Sequence, residues 1–279
     1  MENINTVSIM QWNTLCSQLA TTKSFPYANP TDLQWEIRRK RLASYIQKEN
    51  ADFVCMEEID NPENFKKEVI SPANKYTFLF QFKNNHFMGV AIGYDSTKYT
   101  LIGRTTLQMP GNEAKELANQ ITLIGYFENK FTFKKLCIIV THLKAKGPNE
   151  PARLVQIKAI LNFVQKNQIK EKGYDVIITG DFNTEPQDST VNEINKSNLD
   201  FKNCFEYNDK SKDNYIEFTT FKIRDKVYKR IIDYMFYSGK GIKCTAAKTA
   251  TAEVKEDVGY PNENMPSDHL YLVCKFQLL

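Results

Sequence analysis

KKLCIIVTHLKAKGPNEPARLVQIKAILNFVQKNQIKEKGYDVIITGDFNTEP, residues 134–186, contains the kinds of segment from which the rest of the chain is built. It opens on the apolar run KKLCIIVTH, and its second apolar run is DVIITG. Short runs rich in β-branched residues and bounded by polar turns predict buried strands. Between them, Pro151 to Asn167 sets Leu154, Ile157, Leu161 and Val164 on one face of a helix, and Pro151 suits a helix start. Polar residues follow each strand, His142 after the first and Asp181 after the second. Strand ends are where an open α/β structure commonly places its ligands.

Outward from this stretch the same signals recur. VSIMQW, DFVCM, YTFLFQF, MGVAIGYD, YTLIGRTT, NQITLIGYFE, RIIDYMFYS and SDHLYLVCKFQL bring the total to roughly ten strands. A second helix runs from Trp35 to Glu49, with Leu42, Tyr45 and Ile46 apolar. Helices alternate with strands in places, but consecutive strands fill the region from 76 to 142, which argues against a single doubly wound parallel sheet. The expected fold is α/β, two packed mixed sheets flanked by helices. With no Pro/Gly/Ser-rich linker and no shift in composition, residues 1–279 read as one domain.

At this length the 42% hydrophobic content is ample for a core without disulfide or metal staples. The formal charge of +4 and pI near 8.5 are compatible with an anionic substrate without demanding one. Six cysteines, Cys16, Cys55, Cys137, Cys204, Cys244 and Cys274, lie far apart with no CxxC pair and no metal-ligand spacing, and read as reduced core residues. MENINTVSIMQWN lacks a basic region followed by a long apolar stretch, and no run of about 18 apolar residues occurs. An intracellular, cytoplasmic protein without a membrane span is expected.

The chemistry-bearing residues gather at strand ends. Glu57, Glu58 and Asp60 follow DFVCM and could supply hard oxygen ligands to Mg²⁺, or simply begin a solvated loop. In GDFNTEP, Asp181 and Asn183 are two apart and share a side if extended, and Gly180 lets the backbone turn closely. A carboxylate and a carboxamide so placed can orient a water and hold a phosphoryl oxygen; the alternative is an Asx turn that satisfies its own backbone. Asp268 and His269 face opposite ways on an extended strand and need a bend to share a pocket. Asp233, inside the apolar RIIDYMFYS, needs a partner, and an imidazole suits it. A buried Asp233 would hold His269 in one tautomer and favour its charged form. His86, in NNHF, has no chemical context.

QWN (11–13), EEID (57–60), THLKAK (141–146), GDFNTEP (180–186), IDYMFYS (232–238) and PSDH (266–269) resemble, in order and spacing, the endonuclease/exonuclease/phosphatase superfamily over nearly the whole chain. FTTFKIR (218–224), NQITLIGYFE (119–128) and THLKAK look most like its nocturnin-like branch and the related cytoplasmic deadenylases. The resemblance implies a four-layer sandwich with the motifs meeting at one edge. It implies Glu58 as the chief Mg²⁺ ligand, Asn13 and Asp268 near the ion, Asp181 and Asn183 aligning the water and the phosphate, His142 on a phosphoryl oxygen and Asp233 orienting His269. One or two Mg²⁺ ions are implied, with Mn²⁺ as a substitute. Asp181 is the first choice for general base. Glu57 stands where such sequences usually have Gln, adding a negative charge beside the metal ligand, and Lys146 where they usually have Arg, losing a bidentate fork.

The substrate implied is an adenine nucleotide, as in removal of the 2′-phosphate of NADP(H), or alternatively poly(A) RNA shortened from its 3′ end. Lys144, Lys146, Arg224 and Asn119 would bind it, with Phe218 and Phe221 as candidates for base stacking or, equally, for strand packing. A protein partner could supply an RNA-binding module. A catalytically dead scaffold would have no reason to retain Asn13, Glu58, Asp181, Asn183, Asp268 and His269 together.

Overall fold

The computed structural model describes residues 4–111, 117–223, 226–250 and 259–279. In chain order its strands are β1 (Thr6–Asn13), β2 (Phe53–Ile59), β3 (Tyr76–Phe82), β4 (Gly89–Asp95), β5 (Tyr99–Pro110), β6 (Leu117–Asn129) and β7 (Lys135–His142). They continue with β8 (Tyr174–Asp181), β9 (Lys202–Asn203), β10 (Thr220–Ile223), β11 (Val227–Arg230), β12 (Asp233–Ser238), β13 (Ile242–Thr249) and β14 (Leu272–Leu278). The α-helices are α1 (Pro30–Leu33), α2 (Trp35–Glu49), α3 (Pro62–Phe65), α4 (Glu150–Lys166) and α5 (Ser189–Lys196).

Two six-stranded sheets result, ordered β13-β14-β1-β2-β4-β3 and β5-β6-β7-β8-β12-β9, with β10-β11 a separate hairpin. Both are mixed: β1 runs parallel to β2 and antiparallel to β14, and β7 runs parallel to β8 and antiparallel to β6. Period-two alternation sorts each strand's side chains into two buried layers. Between the sheets, Ile9, Phe53 and Ile92 meet Ile138, Ile177 and Met235. On the outer face of the first sheet, Met10, Trp12 and Val54 lie under Leu42 and Ile46 of α2. On the outer face of the second, Ile139, Ile178 and Phe236 lie under Ile157, Ile160 and Val164 of α4 and Ile194 of α5. The fold is therefore helix, sheet, sheet, helix. Each fully buried aliphatic or Phe side chain contributes about 1.5–3 kcal/mol to holding these layers together.

Two strands expected from sequence are shorter than their apolar runs. In RIIDYMFYS, Arg230 ends the β10-β11 hairpin and only Asp233–Ser238 joins the second sheet. The final strand begins at Leu272, because the residues before it are held in an arc: the Ser267 hydroxyl donates to the Asn13 carbonyl at 2.6 Å, and the Leu270 N–H donates to Thr219 at 2.7 Å. The edge strand β13, IKCTAAKT, carries no apolar run; it forms by pairing with β14. No helix among the described residues is long and apolar enough to cross a membrane.

Candidate active site

Strand register brings the polar residues together. At the ends of the second sheet's strands His142 pairs with Asp181, and Asp181 with Asp233, so three neighbouring strands present their side chains in one row. In the first sheet Asn13 pairs with Glu57. Glu58 is the extra residue of a bulge: Glu57 pairs with Val90, Ile59 with Gly89, and Glu58 adopts a left-handed φ of 63°. Bulges re-aim side chains, and here two adjacent glutamates serve different places. Gly180 sits so close to β7 that a Cβ would lie 1.9 Å from the Thr141 carbonyl oxygen, so only glycine allows the approach.

Asp181 is the centre. Its Oδ2 lies 3.0 Å from Asn13 Nδ2, 3.6 Å from His142 Nε2 and 3.9 Å from His269 Nε2. Its Oδ1 accepts the Asn183 N–H at 2.8 Å, and Asn183 takes a left-handed φ of 54°. The Asx turn and the polar site are thus one structure: one oxygen fixes the turn and the other faces the cluster. Asn13 Nδ2 also donates to Glu58 Oε1 at 3.1 Å, while its Oδ1 accepts the Leu15 N–H. In this arrangement the Asn13 amide links two carboxylates. Asn183 Nδ2 donates to the Leu143 carbonyl at 3.3 Å.

Asp233 and His269 form a buried pair, Oδ2 to Nδ1 at 2.8 Å. Burial opposes the imidazolium, but Asp233 and then Asp268 outweigh it and raise His269 to about 10, so the ring is charged at neutral pH. Burial, with Asp233 adding to it and His269 opposing, pushes Asp181 up to about 7. Burial and the neighbouring Lys83 hold His142 well below the usual histidine range, so it is neutral. The ammonium of Lys83 stands 3.1 Å from His142 Nδ1 and can only donate, which leaves the ring proton on Nε2, toward Asp181.

The charge expected from Glu57 is absent. Burial, reinforced by Asp233, raises its carboxyl well above the ordinary range. It points away from Glu58 into the inter-sheet layer, where Oε2 accepts from Gln11 Nε2 at 2.8 Å. A protonated glutamic acid there is close in shape and charge to the glutamine it replaces.

Four residues escaped the sequence reading. Lys83, at the end of an apolar strand, is 7% exposed, and Glu58 and Asp181 oppose the burial that lowers its pKa. Lys222 forms an ion pair with Asp268 Oδ2. Arg38, on α2, is fully buried and donates to the carbonyls of Thr14, Leu15 and Pro266, tying together the loops that carry Asn13 and Asp268. Gln11 bridges Glu57 and Asp233. A cation inside an amphipathic helix or after an apolar strand ordinarily reads as solvated; only Lys222, inside the strand-like FTTFKIR, carried any signal.

The substrate candidates are placed less uniformly. Lys144 is half-buried and its charge is felt by Lys83. Lys146 is exposed on the same loop, which Arg153 Nη1 holds through the carbonyls of both lysines at 3.0 Å each. Asn119 is exposed on β6, and its carbonyl accepts the Asn84 N–H. Arg224 lies outside the described residues. Phe218 and Phe221 are both buried, packed edge to face with centroids 5.8 Å apart, so neither offers a free face to a base. Packing, the alternative given for them above, is their role in this structure.

Glu58, His142 and Asp181 each offer a ligand atom, all within 4.8 Å of one another, and Asp181, Asp233 and His269 form a second such group. In the second group Asp233 and His269 already satisfy each other. In the first, His142 keeps its ring proton on Nε2 and is no ligand, so the carboxylates of Glu58 and Asp181 are what fits a cation, and so does Asp268, whose Oδ1 is buried with no hydrogen-bond partner. A buried carboxylate oxygen left unpaired is costly, and carboxylate and amide donors suit a hard divalent cation.

The endonuclease/exonuclease/phosphatase family model matches residues 10–269. Nocturnin of Rattus norvegicus is 28% identical over 284 residues, covering 97% of this chain and 65% of its own length. The 3′-5′-exoribonuclease subunit Ccr4 of the CCR4-Not complex from Debaryomyces hansenii is 24% identical over 328 residues, 98% of this chain and 39% of that protein. The chain thus spans less than two thirds of either relative. Among solved structures, the human nocturnin catalytic domain with bound sulfate anion superposes with a TM-score of 0.80 at 23% identity, covering 99% of this chain and 95% of that one. ANGEL2, a 2′,3′-cyclic phosphatase, does so with 0.82 at 19% identity, covering 98% and 95%. A family match running from within β1 to His269, on a sandwich whose strand ends carry the matched carboxylates and histidines, has one consequence: the chain belongs to the endonuclease/exonuclease/phosphatase family.

Proposed function

We propose that the chain hydrolyses a phosphoester of an adenine nucleotide, such as the 2′-phosphate of NADP(H), using Mg²⁺ or Mn²⁺ held by Glu58 with Asn13 and Asp268. The observation that carries this reading is the convergence of Asn13, His142 and His269 on a single buried oxygen, Asp181 Oδ2. The cation, when bound, supplies Lewis-acid polarisation of the phosphoryl group and stabilises negative charge on its oxygens.

The chain's own groups divide the remaining work. Asp181, raised to about 7, is matched to accept a proton from water near neutral pH, which makes it the general base. Charged His269 and neutral His142 direct Nε2–H groups toward the same centre, where they stabilise charge on phosphoryl oxygens as it develops. Asp233 holds His269 by its Nδ1, and Asn183 fixes the rotamer of Asp181. Lys83 and Lys222 add positive charge beside the carboxylates, favouring a compact, highly charged phosphate ester.

Two features support a nucleotide over a long RNA: Lys83 and Lys222 both stand near Glu58 and Asp181, and Phe218 and Phe221 are committed to the core. The likeness to Ccr4 supports the second reading, 3′-5′ removal of poly(A). Incubation with Mg²⁺ and NADP⁺, NADPH or short poly(A) separates the two by product. Phosphate release is expected. Chain shortening with no phosphate from NADP(H) would transfer the assignment to poly(A).

A further inference from the structure

The six cysteines are scattered in sequence, yet folding gathers three of them. The Sγ atoms of Cys204, Cys244 and Cys274 all lie within 4.8 Å of one another, and none is in a disulfide. They come from three separate parts of the sandwich. Cys204 follows β9 at the edge of the second sheet, where its N–H donates to Met235 at 3.0 Å. Cys274 is on β14, and Cys244 on the edge strand β13 of the first sheet.

The placement of Cys244 depends on one backbone irregularity. Ala247 and Ala246 pair with Cys274 and Lys275, but beyond Thr245 the register slips by one, so that Cys244 pairs with Phe276. Without the slip Cys244 would oppose Gln277 and face outward. With it, Cys244 shares the inward face of Cys274 and Phe276 and meets Cys204 across the sandwich. Cys204 and Cys274 are buried while Cys244 is half-exposed. A cavity of about 370 Å³ opens beside it, lined also by Asn203, Asp213, Asn214 and Tyr237.

The geometry points to a second metal centre: a three-cysteine site for a soft d¹⁰ cation, Zn²⁺ or Cu⁺, that bridges the edges of the two sheets. Zinc–sulfur bonds of about 2.3 Å place tetrahedral thiolates about 3.8 Å apart, within at most about 1 Å of the present separations. Thiolates select soft cations, whereas the oxygen-rich set around Asp181 selects hard ones. The cavity beside Cys204 and Cys244 leaves room for a water as the fourth ligand. Binding releases a proton from each thiol and ties β9 to β13 and β14, so it stabilises the fold.

The test uses the full chain, reduced and saturated with Mg²⁺ so that the hard site is occupied. Zn²⁺ or Cu⁺ is added in separate arms, and alkylation of individual cysteines is followed by mass spectrometry. Each arm also records the thermal midpoint, and Co²⁺ serves as a probe for sulfur-to-metal charge-transfer absorption. The expected result is loss of Cys244 alkylation in the arm of the cation that binds, a raised midpoint, and disappearance of the metal-dependent midpoint rise in Cys244→Ser. That variant changes a half-exposed edge-strand residue and leaves the two buried thiols in place, so its own midpoint without added metal confirms folding. Cys244 alkylated as fast in both arms as without added metal, with no charge-transfer band, would overturn the proposal and leave the three thiols as core packing. Retention of the metal-dependent midpoint in Cys244→Ser would overturn it as well, by placing the cation elsewhere.

Discussion

Replacing Asp233 by Asn tests the charge logic of the site at a single buried oxygen. The substitution keeps the shape but removes the charge that holds His269 protonated 2.8 Å away. Because the folded His269 sits at about 10, above its ordinary value, its stabilisation is complete below about pH 6.5 and is lost as pH rises through about 10. At pH 7 that shift corresponds to roughly 4 kcal/mol, in line with the ~3–5 kcal/mol cost of breaking a buried ion pair. For a chain of 279 residues, an unfolding entropy near 2 cal/mol/K per residue converts this into a drop in Tm of roughly 5–8 °C. The pH dependence is the sharper signature. Between about pH 7.5 and 8.5 the folded chain keeps a proton that the unfolded chain has released, so this pair alone makes stability fall by about 1.4 kcal/mol per pH unit. In Asp233→Asn that slope should vanish. Urea unfolding at several pH values, with Mg²⁺ saturating throughout, measures it. An unchanged midpoint together with an unchanged slope would show that the two residues do not form a charged pair.

Glu58→Gln should weaken metal affinity with little change in shape, so that raised Mg²⁺ restores part of the rate; an unaltered Mg²⁺ dependence would remove Glu58 from the metal site. Asp181→Asn and His269→Ala should each lower kcat by at least about 10²-fold with substrate binding largely kept, as steady-state kinetics would reveal, because both act mainly in the transition state. Arg38→Met should cost at least about 3 kcal/mol in denaturant unfolding, since it strands three buried carbonyls at roughly 1–3 kcal/mol each, and should lower activity by loosening the loops that carry Asn13 and Asp268. Replacing both Lys144 and Lys146 by Ala should depress kcat/KM on NADP(H) by on the order of 10²–10⁴, from about 1.5–3 kcal/mol per charge-assisted contact. Equal losses on NADP(H) and poly(A) would count against a compact phosphate pocket.

By itself the sequence determined the layers and the strand ends at which the site sits. Strands such as KKLCIIVTH and DVIITG are legible because an apolar β-branched run is a local signal, and helix Trp35–Glu49 because its period is. The motifs from QWN to PSDH likewise announced a phosphate-directed site. Tertiary structure alone decided which residues meet and in what state of charge. Register put His142, Asp181 and Asp233 in one row, and a bulge separated Glu58 from Glu57. Burial made Glu57 neutral, Asp233 and Asp268 made His269 cationic against the cost of burial, and folding brought Lys83 and Lys222 to the carboxylates and Arg38 to the carbonyls of Thr14, Leu15 and Pro266. A one-residue slip in an edge strand turned Cys244 toward two distant thiols. The physical reason is common to all of these. Hydrophobic periodicity repeats over a few residues and can be read along the chain, whereas proton affinity and side-chain partnership depend on dielectric and distance between residues more than two hundred positions apart, as Gln11 and Asp233 are.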